Sequence, residues 1–222
     1  MLINSDFSRR AFVASHKYEW VSSPQSGVAR VMLDRVGAEK ARATSIVRYA
    51  PDSYFPHHMH PGGEEILVLA GTFSEDDKHY PAGWYLRNPP GSGHRPSSDE
   101  GATIFVKLQQ MSADEARPVR INTSDPNNWR RQGDREICPL FSDQSEEVCL
   151  IRLPASEALL STPVQGAELL VLEGEVVVSE RSFTSGSWVR TPAGEVPPIT
   201  AGEQGATVYL KTGHLADLTA EV

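Results

Sequence analysis

Two blocks of this sequence recur at one fixed offset. Gly63-Glu64-Glu65-Ile66-Leu67-Val68-Leu69-Ala70-Gly71 aligns with Gly166-Ala167-Glu168-Leu169-Leu170-Val171-Leu172-Glu173-Gly174, and Gly83 to Pro89 falls on Gly186 to Pro192, both at a shift of 103 residues that also carries Pro51 onto Pro154. Self-similarity at a fixed period means that one structural unit is used twice. The repeated blocks are short apolar runs closed by glycine or proline, which is the signature of strands and tight turns. Strands are expected at Ala43 to Tyr49, Glu65 to Ala70, Trp84 to Arg87 and Thr103 to Leu108. Glu147 to Leu153, Glu168 to Leu172, Glu175 to Val178 and Thr207 to Lys211 answer them in the second half. No stretch carries a long helical period, so the expected fold is all-β, with two tandem barrels.

The first copy holds a cluster that the second lacks. In His57-His58-Met59-His60-Pro61-Gly62-Gly63-Glu64 the alternation of an extended strand puts His58 and His60 on one face and His57 on the other. Pro61-Gly62-Gly63 is turn chemistry that lets Glu64 come back toward the same centre, and His94 closes the group from a second hairpin. Three imidazoles and a carboxylate form a metal-ligand set, so His58, His60, Glu64 and His94 are the expected ligands. At the shared offset these positions become Ser161, Pro163, Ala167 and Pro197, so the second unit is expected to hold no metal. The expected division is residues 1–112 for the metal-binding unit, 113–129 for a polar linker and 130–222 for the degenerate unit.

The spacings His58-x-His60-x3-Glu64-x6-Gly71 and Gly83-x5-Pro89-x-Gly91-x2-His94 resemble the two signature motifs of the cupin superfamily, small jelly-roll barrels with a metal at one end. Where that family often has an asparagine four residues after the last histidine, this chain has Ser98. Glu64 to Asp76, Tyr80 to His94 and Ile104 to Leu108 resemble one branch in particular, the cupin-like domain of the anti-sigma factor ChrR. That resemblance implies zinc binding and a regulatory role in the response to singlet oxygen or related oxidants. It carries the sigma factor as a partner only by likeness, because the family's separate sigma-binding domain uses a Cys-x-x-Cys motif and this chain has no cysteine before Cys138.

The ligand set suits zinc, iron, manganese, nickel or Cu(II), and affinity order alone does not choose among them; the resemblance puts zinc first. A tetrahedral zinc would be closed by four ligands, whereas a six-coordinate ion would keep two positions for substrate, dioxygen or water. Two functional readings follow: a sensor or regulator of the ChrR type, and a dioxygenase acting on small diketones or hydroxyaryl ketones. A purely structural metal is the third. Tyr54, Phe55, Trp84, Tyr85 and Phe105 are the aromatic candidates for a small-molecule pocket, and Glu65 and Arg87 the candidates to orient a ligating imidazole.

Charge narrows the partners. A formal charge of −8 over 222 residues, with no basic stripe, argues against nucleic acid. Arg130, Arg131 and Arg135 lie among Asp125 and Asp134 and read as a solvated loop. No apolar run approaches the roughly 20 residues that cross a bilayer, and the first ten residues lack the apolar core of a secretory signal, so a cytoplasmic protein without a membrane partner is expected. A homodimer is compatible with the sequence. Cys138 and Cys149 are too few and too far apart for a disulfide framework or a structural zinc motif, and read as buried thiols.

Overall fold

The computed structural model describes residues 1–38, 40–195, 198–216 and 218. Among these the structure is almost entirely β, with short 3-10 turns at Ser15–Lys17 and Pro126–Asn128 and no α-helix. No helix is long and apolar enough to cross a membrane. The chain divides into two compact units: Met1–Ser5 with Glu19–Asp125, and Asp6–Tyr18 with Pro126–Val222.

The first unit is built on an antiparallel sheet. Its strand order is Leu2–Ile3, Val28–Val36, Arg42–Tyr49, Ala102–Leu108, Glu64–Glu75, Trp84–Asn88 and Val119–Asn122. Ile66, Val68, Ile104 and Val106 project from the central strands into an apolar interior with Val28, Tyr49, Phe73 and Leu86. Their neighbours Leu67, Phe105 and Tyr85, of opposite parity, are buried too, so both faces of this sheet are covered. A separate small ladder pairs His58–His60 with Ser92–His94.

One bend sets the geometry of the site. The strand Glu64–Glu75 pairs with Ala102–Leu108 through its first half and with Lys78–Pro81 and Pro96–Ser98 through its second. At the junction Gly71 has φ +66° and a register shift falls between Thr103 and Ile104. Inward-facing residues are therefore even-numbered before the bend (Glu64, Ile66, Val68) and odd-numbered after it (Phe73, Glu75). A side chain at Gly71 would collide with the carbonyl oxygen of Gly101, and Gly174, with φ +71°, meets that of Gly205 in the same way. Gly71→Ala is thus expected to lower stability by roughly 2–4 kcal/mol through backbone strain and the clash, and so is Gly174→Ala. Denaturant unfolding of the two variants checks this, and a loss below about 0.5 kcal/mol would count against the bend's being fixed by glycine.

The second unit repeats the plan. Its sheet runs Arg130–Gln132, Arg135–Ser142, Glu147–Leu153, Ile199–Thr212, Gln165–Val178, Trp188–Ala193 and Ala11–Val13. The two strands expected at Glu168 to Leu172 and Glu175 to Val178 are one continuous strand, bent at Gly174. The interior is filled by apolar side chains, among them Ala167, Leu169, Val171, Val189 and Val208. Ser161 and Pro163 are exposed, Ala167 belongs to the apolar cluster, and Pro197 lies outside the described residues.

The unit boundaries differ from those expected. Ala11–Val13 sits beside Trp188–Ala193, with Phe12 opposite Val189, so residues 6–18 count with the second unit. Val119–Asn122, inside the expected linker, is an edge strand of the first unit against Trp84–Asn88. Both are three or four residues long, too short for their composition to announce a strand, and both cover the exposed edge of a longer one. The arginines 130, 131 and 135 form a hairpin rather than a loop. Cys138 and Cys149 are buried and free. Cys138 faces Leu150 and Cys149 faces Pro139, so the two thiols point to opposite sides of the ladder. Burial pushes Cys138 up to about 11 and Cys149 to about 12.

Candidate metal centre

The four side chains expected from spacing converge at one end of the first unit. In the small ladder His94 stands opposite His58 and Ser92 opposite His60, and the three imidazole rings lie 4.7 to 5.3 Å apart. One nitrogen of each falls within 4.8 Å of the other two. Glu64 begins the long strand directly after the Pro61-Gly62-Gly63 turn, where Gly63 adopts φ +77° and donates its N–H to the His60 carbonyl at 3.2 Å. That reversal places Glu64 Oε2 3.5 Å from His60 Nε2 and 3.4 Å from His94 Nε2. His60, Glu64 and His94 are buried, His58 is partly exposed, and His57 is exposed.

Hydrogen bonds fix which nitrogen of His58 and of His94 turns to the centre. His58 Nδ1 lies 2.9 Å from the Pro56 carbonyl, and His94 Nδ1 lies 2.8 Å from Glu75 Oε1. Each Nδ1–H therefore donates away from the centre and leaves the Nε2 lone pair facing inward. Among the described residues Nε2 of His60 and Nε2 of His94 are buried without a hydrogen-bond partner. Two orphaned ring nitrogens aimed at one point beside a carboxylate would be costly unless something bound them, so the donor set fits a divalent cation. Burial holds His60 below the usual imidazole range, against the opposing pull of Glu64, and so favours the neutral ring that a metal needs. Burial acts the same way on His94, but the hydrogen bond with Glu75 and the charge of Glu64 outweigh it and raise that group.

Glu75 is the organising residue that the sequence did not single out. Its Oε1 accepts from His94 Nδ1 and, at 2.7 Å, from Asn88 Nδ2, while its Oε2 accepts from Arg120 Nη2 at 2.7 Å. Although burial opposes ionisation, His94, Arg120 and Asn88 together hold the Glu75 carboxyl down at about 2. With both oxygens engaged, Glu75 orients His94 rather than offering a ligand atom of its own. Asn88 Nδ2 also reaches Glu64 Oε2 at 3.1 Å, and Arg120 donates to Asn88 Oδ1 at 2.5 Å, so one network holds both carboxylates. Arg120 comes from the short edge strand that had been expected as linker.

Glu65 and Arg87, the orienting residues expected from sequence, do not approach the cluster. They have the opposite strand parity and pair with each other at 3.2 Å on the other face of the sheet. Of the aromatic candidates only Phe55 lines the cavity that opens beside the ligands. Tyr54 is exposed, Tyr85 and Phe105 are buried on the far face, and Trp84 packs on Tyr80. The cavity, about 490 Å³, is bounded by His58, His60 and Glu64 and by apolar side chains that include Val28, Val47, Phe55, Ile104 and Val106. Tyr49 also lines it, and burial together with the nearby charge of Glu64 pushes its hydroxyl far above the ordinary phenol range, so it stays a neutral donor. His79 is exposed on the hairpin strand Lys78–Pro81, and its Nδ1 lies 2.9 Å from Ser74 Oγ.

The profile of the ChrR cupin-like domain matches residues 8–112, the segment that carries every one of these ligand positions. Solved structures agree in fold. A protein from Nostoc punctiforme PCC 73102 provisionally assigned as a dioxygenase superposes with a TM-score of 0.72 at 14% identity, covering 97% of this chain and 85% of that one. The chain has the cupin fold. Ylba from Escherichia coli gives a TM-score of 0.70 at 17% identity, over 94% of this chain and 92% of that one. The bacterial pirin YhhW from E. coli, in complex with nickel(II), gives 0.65 at 14% identity over 92% and 98%. At these identities the likeness shows the fold alone. No curated protein sequence matches this chain significantly.

Proposed function

We propose that His58, His60, Glu64 and His94 hold one divalent ion and that this cupin is a metal-dependent dioxygenase of a small, largely apolar organic molecule. The observation that carries the reading is the cavity. Three of the four side chains form part of its wall, and the remainder is mostly hydrocarbon, which is the form of a small-molecule site rather than of a closed structural metal. When bound, a redox-active divalent ion supplies the Lewis acidity and one-electron chemistry that reaction with dioxygen needs.

The chain's own residues then have definite tasks. His60 stays neutral by burial and keeps its Nε2 lone pair available. Glu75 holds the proton on Nδ1 of His94, so that His94 presents Nε2, and Arg120 and Asn88 keep Glu75 in place. Val28, Val47, Ile104 and Val106 exclude water from the substrate's body. Tyr49, fixed as a phenol, can donate to a substrate oxygen.

A second reading, a zinc-dependent sensor of oxidants, is supported by the match to the ChrR cupin-like domain. One experiment separates the two. Elemental analysis of protein purified without added metal is paired with oxygen uptake on a panel of small diketones and hydroxyaryl ketones. Iron or another redox-active metal with substrate-dependent oxygen consumption is expected; one tightly held zinc per chain and no turnover would replace the enzyme reading with the sensor.

A further inference from the structure

The wall of the cavity carries charge in a place where hydrocarbon predominates. Arg30 lies on the strand Val28–Val36 opposite Val47, which in turn stands opposite Ile104, and all three side chains line the cavity. Arg30 Nε is buried, and among the described residues it has no hydrogen-bond partner. Arg35 and Lys40 line the same space, whereas Glu64 is the single carboxylate among the described lining residues. A bulge between Met32 and Asp34 explains how Arg30 and Arg35, of opposite parity, come to one side.

This concentration runs against the chain as a whole, which has 29 acidic residues to 21 basic ones and repels anions at long range. An Nε–H buried in an apolar wall without an acceptor is unfavourable, and a carboxylate that meets the planar fork of Arg30 at Nε and a neighbouring N–H removes that cost with two parallel hydrogen bonds. We infer that the cavity selects a small organic anion, with its carboxylate on Arg30 and its apolar body against Val28, Val47 and Ile104. The inference rests on the reading of this cavity as the substrate site and names the substrate class for it.

The test compares matched probes, 3-phenylpropanoate and 3-phenylpropanamide, by calorimetric titration of the protein as purified and after chelator treatment. The acid is expected to bind at least about tenfold more tightly than the amide in both preparations. Arg30→Met should abolish that preference and Arg30→Lys should retain part of it. Equal binding of acid and amide by the wild-type protein, binding of neither, or an undiminished preference in Arg30→Met would each overturn the inference. The wild-type comparison stands even if Arg30→Met misfolds. Failure here is distinct from failure of the dioxygenase reading. A redox-inactive metal without turnover leaves the acid preference of the chelator-treated protein untouched. Oxygen uptake on neutral diketones with no acid preference removes the anion inference alone.

Discussion

Replacing His58 and His60 together by alanine is expected to leave a folded protein that no longer binds metal stoichiometrically. A four-ligand site of the structural kind is worth about 10–16 kcal/mol, so removing two of four takes roughly half of that and weakens affinity by about 10,000-fold or more. His94 and Glu64 remain, but Glu64 Oε2 then faces one imidazole Nε2 instead of two. The apolar cluster of the second unit contains none of these residues, and its circular-dichroism signature and unfolding should persist. In the metal-free state the variant should be no less stable than the wild type, since it loses the buried orphan nitrogen of His60. Metal content is read by elemental analysis after dialysis, and a full equivalent retained by the double variant would overturn the ligand assignment.

The second large effect is expected at a distance from the ion. Glu75→Gln and Arg120→Met should each weaken metal affinity by about 10- to 100-fold without removing a ligand atom. Glutamine at position 75 offers one neutral acceptor oxygen where Glu75 offers two anionic ones to His94, Asn88 and Arg120, so the three donors compete for it and Nδ1 of His94 loses its charged partner. Methionine at 120 keeps volume but deprives Glu75 and Asn88 of their shared donor. Competition against a chelator of known affinity measures the loss, and recovery in Arg120→Lys would separate the charge of Arg120 from mere packing. An affinity within a factor of two of wild type in both variants would reduce the network to a structural one.

Strand parity explains why the convergence of His58, His60, Glu64 and His94 was legible and the network around them was not. His58 and His60 share a face at a spacing of two, Glu64 follows a glycine-rich reversal, and His94 faces His58 across a short ladder, so each position is fixed by local rules. Glu75 is set by parity as well, but the bend at Gly71 resets the count, and a strand read as ending at Ala70 puts Glu75 in a hairpin loop. Asn88 stands directly opposite Glu64, which becomes visible only when the pairing register is known. Arg120 belongs to a four-residue strand in a polar stretch, where composition reads as linker. The pocket aromatics were ambiguous for another reason: when both faces of a sheet are buried, hydrophobicity marks Tyr85 and Phe105 as inside without telling which inside. The strand Val28–Val36 went unread because Arg30, Asp34 and Arg35 interrupt its apolar run, and two of those three line the cavity.

The strand Ala11–Val13 closes the sheet of the second unit although it lies at the opposite end of the chain from Trp188–Ala193. During synthesis those residues emerge long before their partner exists and must wait, unpaired, while the whole first barrel is made. Final closure is therefore one of the least local events in the molecule, and it ties the maturation of the second barrel to an intact leading segment. A gene fragment that starts at residue 130 would encode a barrel with an open edge, prone to pair with its own copies. The duplication has thus produced modules that are repeated in architecture yet no longer separable by a single cut.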